Sequence, residues 1–247
     1  MRRLLPTPSD QVDLLGAYAP SEVAPDRPFV RCNMISSIDG AIAVEGRSGM
    51  LGGPADRRVF GTLRSLADVI LVGAGTVRAE GYGPARTDPG LRPERERRGQ
   101  TAVPPIAVVT SSANLDWSAP FFTAAEARPL VVTSPEGAGR AGERARDVAD
   151  VVVAGGGQVE LAAVVAALHA RGMRHVLCEG GPALNAELAH AGLLDELCLT
   201  MAPRLVGGAG PRVLAGEELR PPADLEVVQL LEEDGFLFYR LRIPPRG

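Results

Sequence analysis

The stretch that decides the fold is residues 67–80, which read Ala-Asp-Val-Ile-Leu-Val-Gly-Ala-Gly-Thr-Val-Arg-Ala-Glu. The apolar run Val69 to Val72 is typical of a fully buried strand, and it breaks directly into the turn Gly73-Ala74-Gly75-Thr76. Such a turn brings backbone N–H groups, and often a helix N-terminus, against a phosphate. The same four residues are also compatible with a tight strand-to-helix turn that binds nothing.

A second strand and glycine turn follow at residues 175–182. His175 to Cys178 is predicted to be a strand, Glu179-Gly180-Gly181 a turn, and Pro182 the first residue of a helix, where proline is favoured. This turn alone has the same plain structural alternative as the first. Two glycine turns that each follow a buried strand together favour one extended ligand with a diphosphate, and a dinucleotide is the obvious candidate.

The rest of the chain alternates strands and helices, which predicts an α/β fold with a mostly parallel sheet. Further strands are predicted at 29–34, 106–109, 130–133, 151–153 and 196–202, another within 36–44 after a turn, and helices at 54–67, 159–170 and 182–191. Residues 226–231 and 236–243 flank the turn Glu233-Asp234-Gly235. We expect them to close the sheet as an antiparallel hairpin.

Two segments fall outside this pattern. Residues 1–27 are proline-rich and weakly patterned, which indicates an N-terminal arm, and residues 28–243 are expected to form one domain. Residues 82–100 are polar and carry several arginines, and the part at 86–100 is expected to be a mobile surface segment, not a domain boundary.

Composition and charge exclude several classes of protein. The net charge is −4 with both signs interspersed, so the chain has no basic footprint for nucleic acid. The longest helix-like apolar stretch, Leu161 to Leu168, is too short to span a membrane. Three single cysteines indicate buried thiols in a reducing compartment, and the histidines have no metal-binding spacing. We therefore expect a cytoplasmic protein without a metal site.

Three charged side chains have both a structural and a functional interpretation. Asp39 follows a predicted strand, and it either bonds the local backbone of a turn or presents a carboxylate to a ligand. Arg64 ends a predicted helix and Arg86 lies in a polar loop, where solvent exposure is the usual outcome. A phosphomonoester site needs two or three such cations to converge.

These segments, in this order, resemble the reductase domain of the bacterial riboflavin-biosynthesis deaminase/reductase, whose fold resembles that of dihydrofolate reductase. The matching pieces are Ser-Ile-Asp-Gly at 37–40, Gly-Arg-Ser-Gly at 46–49, and the stretches at 53–58, 63–77, 179–184, 192–197 and 202–208. The resemblance spans residues 28–243. It implies a dihydrofolate-reductase-like α/β/α arrangement in three layers, with a mostly parallel central sheet.

The resemblance also implies a cofactor, a substrate and their contacts. NADPH would contact Ile35, Met50, the first glycine turn with Thr76, Glu80, Ser112 and the run from Gly180 through Gly181, Pro182, Ala183 and Leu184 to Glu187. A phosphoribosylamino-pyrimidine substrate would contact Ser48, Arg64, Arg86 and Glu179, with the serine and the arginines near its ribose phosphate.

The implied reaction reduces a 5-amino-6-(5-phosphoribosylamino)uracil-type pyrimidine to its ribitylamino form. The ring-opened ribosylamine presents an imine at C1′, which accepts a hydride from nicotinamide. Glu179 or Asp39 would supply negative charge that stabilises the iminium, the protonated imine that accepts the hydride, or would relay the proton. Whether the substrate is the deaminated pyrimidine or its diamino precursor stays open.

Two departures from the family pattern bear on function. The chain has no zinc-deaminase signature, so we expect it only to reduce. Where the pathway enzyme usually reads Asp-Asn-Pro-x-Leu-Thr-x-Arg, this chain reads Glu80-Gly81-Tyr82-Gly83-Pro84-Ala85-Arg86. The altered loop leaves room for a paralogue that reduces another heterocycle, such as dihydrofolate. A non-catalytic nucleotide-binding relative is a third interpretation, which the retained substrate-side residues argue against.

A homodimer is expected as well. Residues 197–201 and 236–239 supply more apolar surface than an uncovered antiparallel edge usually shows, and the family resemblance points the same way.

Overall fold

The computed structural model describes residues 1–20 and 26–244. Residues 21–25, within the predicted N-terminal arm, and residues 245–247 lie outside the described residues. The chain divides into two compact units, each built from segments that are distant in sequence. The first unit comprises Met1–Ala19, Val30–Leu63 and Cys178–Gly247, and the second comprises Pro20–Phe29 and Arg64–Leu177.

Strands and helices alternate over most of the described chain. The strands are β1 (Arg2–Leu5), β2 (Phe29–Ser37), β3 (Val69–Gly73), β4 (Ile106–Val109), β5 (Leu130–Thr133), β6 (Asp150–Val153), β7 (His175–Cys178), β8 (Glu196–Ala202), β9 (Glu226–Glu233) and β10 (Phe236–Arg242). The α-helices are α1 (Leu14–Ala17), α2 (Pro54–Leu66), α3 (Ala74–Glu80), α4 (Arg92–Arg97), α5 (Pro120–Thr123), α6 (Pro135–Val148), α7 (Leu161–His169) and α8 (Pro182–His190), and short 3-10 helices lie at Ser48–Met50 and Pro89–Leu91.

The strands of the first unit are ordered β1-β9-β10-β8-β2. β2 pairs in parallel with β8, whereas the pairs β8/β10, β10/β9 and β9/β1 are antiparallel. Asp234 and Gly235 link β9 to β10 with φ angles of 53° and 79°, the positive values that a two-residue hairpin turn of type I′ requires. The predicted C-terminal hairpin is therefore confirmed.

The strands of the second unit are ordered β7-β3-β4-β5-β6, and β3 to β6 pair in parallel. Every residue from Val69 to Val72 is completely buried, because side chains on both faces of a central parallel strand are covered. Ile70 and Val108 pack in a core that includes the rings of Phe121 and Phe122. The predicted mixed α/β fold, with a mostly parallel sheet and an antiparallel end, is confirmed.

Two predictions about local structure were wrong. Residues 38–44 form no strand, and Val44 makes only an isolated bridge with Arg47. The chain reverses there instead, because Ser37 and Ala41 bond to each other through their backbones and Gly40 takes a φ of 90°. Residues 86–100 are not a surface segment throughout, since α4 lies within them and carries a completely buried arginine, Arg95.

Several elements were not predicted at all, and β1 and α6 are among them. β1 lies in the segment that the sequence indicated only as an arm, and it pairs with β9. α6 has start signals that the sequence does contain: Ser134 caps the helix by accepting a hydrogen bond from the N–H of Gly137, and Pro135 follows at its first position.

Candidate active site

The glycine turn after β7 places a buried carboxylate directly before a helix. Glu179 is the first residue after β7 and is 6% exposed. Gly180 has a φ of 86°, and a Cβ there would lie 3.3 Å from Sδ of Met34 in β2, so this position requires glycine. The Gly180–Gly181 peptide bond is cis. α8 begins at Pro182 with no side-chain cap, so the N–H groups of its first turn have no side-chain acceptor.

Asn185 anchors the first turns of α8 within the first unit. It is completely buried, its Oδ1 accepts hydrogen bonds from the thiols of Cys32 and Cys178 at 3.4 Å each, and its Nδ2 donates to the carbonyl of Val213 at 3.0 Å. Leu184 is buried as well, and its predicted contact with NADPH stays a prediction. The anchoring role of Asn185 was not predicted, although a single amide side chain in a short apolar helix is a signal for it.

Asp39 ties the turn after β2 to the loop after β8. Its carboxylate accepts hydrogen bonds from Oγ of Ser37 at 2.7 Å and from the backbone N–H groups of Val206 at 3.1 Å and Gly207 at 2.6 Å. These bonds, that from Ser37 first, lower the pKa of Asp39 to about 2. The contacts favour the structural interpretation of Asp39, and its catalytic role stays a prediction.

The other predicted residues of the first unit lie on β2 and the turn at 48–50. Ile35 is half-buried near the end of β2, Ser48 begins the 3-10 helix, and Met50 ends it with 49% of its surface exposed. Nη1 of Arg204 donates to the carbonyl of Met50 at 2.7 Å. The loop after β8 therefore holds both this turn and the turn that contains Asp39.

The glycine turn after β3 has the predicted strand-to-helix geometry. Gly73 is the N-cap of α3 and makes no side-chain cap, so the first N–H groups of α3 also have no side-chain acceptor. Gly75 is exposed, and a Cβ there would meet nothing within 4 Å. Ala74 is buried and Thr76 half-buried. Their predicted contacts with NADPH stay predictions.

Ser112 lies in an exposed loop after β4 that two guanidinium groups approach. Arg78 of α3 donates to the carbonyl of Asn114 at 3.2 Å, and Arg140 of α6 donates to the carbonyls of Ser111 at 2.8 Å and Ser112 at 3.2 Å. The loop thus combines exposed hydroxyls with positive charge. Neither arginine was predicted to lie here, because nothing in the sequences of their own helices relates them to this loop.

Arg64 lies in the last turn of α2, with its guanidinium carbon 5.7 Å from the centroid of the Tyr82 ring. Tyr82 belongs to the loop that departs from the family pattern. Glu80 is half-buried at the end of α3, and Arg86 is exposed. Among the described residues, no hydrogen bond, ion pair or ring contact joins Arg86 to another predicted site residue. Arg64 thus contacts this loop through the Tyr82 ring, and the convergence of Arg64 and Arg86 on a phosphate stays a prediction.

The described part of the chain contains neither a cluster of metal-binding side chains nor a membrane-spanning helix. Within residues 1–20 and 26–244, no group of three or more His, Cys, Asp or Glu side chains could hold a metal ion. No helix in the described part of the chain is long and apolar enough to cross a bilayer. Cys32, Cys178 and Cys198 are buried free thiols, as predicted.

Comparison with known proteins identifies the family. Residues 28–234 match the RibD C-terminal domain. The chain belongs to this family. One relative is the 2,5-diamino-6-ribosylamino-4(3H)-pyrimidinone 5′-phosphate reductase of Archaeoglobus fulgidus. It is 32% identical to this chain over 209 residues, which cover 84% of this chain and 95% of the relative. The reductase of the same name from Methanothermobacter thermautotrophicus is 33% identical over 201 residues, or 80% and 88% of the two chains.

A solved structure agrees with this assignment. The crystal structure of a pyrimidine reductase-like protein from Corynebacterium diphtheriae matches with a TM-score of 0.80 and 28% identity, covering 90% of this chain and 94% of that one. The predicted resemblance is confirmed, and so is the prediction of an oxidoreductase of the pyrimidine reductase type in riboflavin biosynthesis.

Each unit of this RibD C-terminal domain protein offers groups that suit an anionic or cationic reaction partner. The first has the buried carboxylate of Glu179 beside the uncapped start of α8. The second has the uncapped start of α3, the arginine-flanked loop at Ser112, and Arg64. Carboxylates stabilise developing positive charge, and helix starts and arginines bind phosphates.

Proposed function

We propose that this chain uses NADPH to reduce the ribosyl group of a phosphoribosylamino-pyrimidine to a ribityl group. The relatives from Archaeoglobus fulgidus and Methanothermobacter thermautotrophicus are named for the diamino-pyrimidinone phosphate, which supports the diamino compound as substrate ahead of the deaminated uracil. The observation that carries the proposal is the buried carboxylate of Glu179 at the end of β7, directly before the glycine turn, in a chain that matches the family over this segment.

Several features fit NADPH. The uncapped starts of α3 and α8 offer backbone N–H groups to phosphates, beside the proposed contacts of Ile35, Met50 and Glu80. Ser112 with the guanidinium groups of Arg78 and Arg140 suits the 2′-phosphate that distinguishes NADPH from NADH. When bound, NADPH supplies a hydride for C1′ of the ring-opened ribosylamine.

Ser48, Arg64 and Arg86 are proposed to contact the substrate phosphate. Arginine binds phosphate through two parallel hydrogen bonds, a geometry that lysine cannot reproduce. Arg64 is the strongest of the three candidates, because Tyr82 already lies against its guanidinium group.

Glu179 is proposed to stabilise the cation that forms when the imine nitrogen is protonated. A protonated imine makes C1′ a better hydride acceptor, and a buried carboxylate interacts with it more strongly than a solvated one would. The Glu179 carboxylate stabilises the protonated imine more than it stabilises the neutral ground state, and this difference accelerates the reaction.

A homodimer and a cytoplasmic location complete the proposal. The structure changes the argument for the dimer, because β8 and β10 are interior strands of their unit and not edges. Half-buried apolar side chains nevertheless line one face of both strands, where Leu199 pairs with Tyr239 and Met201 with Leu237. We propose that this face packs against its copy. Light scattering that finds only monomer mass at micromolar concentration would contradict the dimer.

Steady-state NADPH oxidation tests the function. We expect turnover with the phosphoribosylamino-pyrimidines, a higher kcat/KM for the diamino compound than for the deaminated one, and none with dihydrofolate. Calorimetry should find tighter binding of NADPH than of NADH. If the chain turns over dihydrofolate and neither pyrimidine, it is a reductase of another class. If NADPH and NADH bind with equal affinity, the proposed contact with the 2′-phosphate is wrong.

A further inference from the structure

Arg95 is a completely buried arginine whose hydrogen-bond acceptors within the described residues are backbone carbonyls. Its Nη1 donates to the carbonyls of Arg64 at 3.2 Å, Ser65 at 3.0 Å and Ala67 at 2.7 Å, and its Nε donates to that of Thr101 at 2.7 Å. Burial lowers the pKa of Arg95 to about 10, so the group is still protonated at neutral pH. A buried cation is thus directed at one end of one helix.

That end is the C-terminus of α2, which has no glycine directly after it. The last four carbonyls of a helix have no partner within the helix, and a glycine just beyond the end commonly satisfies them. Here Ala67 and Asp68 follow the helix, and the cap comes from the 95–100 segment. Nε2 of Gln100 donates to the carbonyl of Leu66 at 3.2 Å and to Oδ1 of Asp68 at 2.6 Å. Arg95 and Gln100 therefore fix the turn from which Arg64 projects.

Tyr82 contacts the guanidinium group at the far end of the Arg64 side chain. Gly81 ends α3 with a φ of 64°, and the N–H of Tyr82 bonds to the carbonyl of Val77 at 3.0 Å. The ring is half-buried against the core of the second unit and lies 5.7 Å from the guanidinium carbon of Arg64, within the range of a cation–π contact.

We propose that Arg95 and Tyr82 are positioning residues that preorganise Arg64 for the substrate phosphate, Arg95 through the backbone of the last turn of α2 and Tyr82 through the guanidinium group. The inference rests on the proposed role of Arg64. A free arginine side chain loses much rotamer freedom when it binds, and a side chain that is already held loses less. The altered loop thus gains a function, because it supplies the ring that holds Arg64.

The experiment compares variants on two substrates, the phosphorylated pyrimidine and the same compound without its phosphate. Tyr82→Leu should raise KM for the phosphorylated substrate about threefold to tenfold, and Tyr82→Phe should restore the wild-type value because it keeps the ring. Arg95→Lys should raise KM in the same way, because one ammonium group cannot replace the fork of the guanidinium. Tyr82→Leu and Arg95→Lys should both leave unchanged the KM for the dephosphorylated substrate and the affinity for NADPH. Arg97→Lys is the control, since its side chain is 73% exposed.

A double-mutant cycle separates this inference from its premise. In an Arg64→Ala background, Tyr82→Leu and Arg95→Lys should have no further effect on KM. If Arg64→Ala itself leaves KM unchanged, the proposed role of Arg64 fails and this inference fails with it. If Arg64→Ala raises KM about tenfold but Tyr82→Leu does not, only this inference is overturned. If Tyr82→Leu and Arg95→Lys raise KM equally for both substrates, Tyr82 and Arg95 serve folding alone. If Arg95→Lys does not fold, the result for Tyr82→Leu decides between the two outcomes.

Discussion

Replacing Glu196 by glutamine should destabilise the protein more than any exposed charge substitution. Glu196 begins β8 and is 2% exposed. Its Oε1 lies 2.5 Å from Nε of Arg31 and its Oε2 lies 2.7 Å from Nε of Arg240. The same two arginines donate to the carbonyls of Ala17, Tyr18 and Ala19, at 2.9, 2.8 and 3.2 Å. One carboxylate thus fixes the two cations that hold the N-terminal segment.

The magnitude follows from what Glu196→Gln leaves behind. The side chains of Arg31 and Arg240 are only 6% and 11% exposed, so neither can regain full hydration. The glutamine carbonyl can accept from one guanidinium group, but its amide then presents N–H groups to the other. Removing one partner of a buried ion pair costs about 3–5 kcal/mol. Because one acceptor is retained, we expect about 3 kcal/mol, or a fall in Tm of about 6–12 °C for a chain of this size.

Chemical unfolding followed by far-UV circular dichroism at neutral pH measures this difference. Glu226→Gln is the matched control, since Glu226 pairs with Arg242 at 2.9 Å where both side chains are more than half exposed, and such pairs contribute less than about 1 kcal/mol. Limited proteolysis should also cleave residues 13–19 faster in Glu196→Gln. If the two variants lose equal stability, the buried cluster does not hold the segment and the reasoning is refuted.

Three further predictions concern acid stability, catalysis and the glycine turn. Burial raises the pKa of Asp68, but hydrogen bonds led by that from His175 outweigh it and lower the pKa to about 2. Stability that is present above about pH 4 should therefore be lost towards about pH 2, by about 2 kcal/mol, and acid titration of Asp68→Asn should lack this loss. Glu179→Gln should lower kcat about tenfold to a thousandfold with NADPH affinity unchanged, and a wild-type kcat would make Glu179 structural. Gly180→Ala should lose about 1–2 kcal/mol in urea unfolding because of its positive φ, whereas Gly139→Ala, in open space on α6, should not.

The parts of the fold that the sequence predicted well are those set by short-range physics. β7 and β8 have the predicted bounds, because glycine or proline, which disfavour strands, follows each within two residues. The hairpin at Asp234 was equally clear, since a two-residue turn with positive φ has few possible sequences. These features depend on residues that are neighbours in the chain, so a single sequence is enough to predict them.

The parts that were missed depend on residues distant in sequence. Arg95 sits in a run of charges that is typical of a solvated surface, and only its contacts with the end of α2, about 30 residues earlier, show that it is buried. Arg78 and Arg140 meet the loop at 111–114 from two different helices. No local pattern distinguishes an arginine that caps a distant carbonyl from one that faces solvent, so the network around Arg64 could not be predicted.

The surroundings of Asp39 and Glu179 distinguish the two carboxylates that the sequence predicts for catalysis. Asp39 is an exposed side chain whose oxygens accept three hydrogen bonds, and its pKa of about 2 leaves it without a proton at neutral pH. A group that relays a proton needs a pKa near the working pH, and a group that stabilises a cation is more effective where water is excluded. Asp39 meets neither condition, whereas Glu179 is buried beside the glycine turn. Asp39→Ala should therefore reduce stability by releasing the loop at 204–207, and a loss of kcat in a variant that remains folded would restore Asp39 to the reaction.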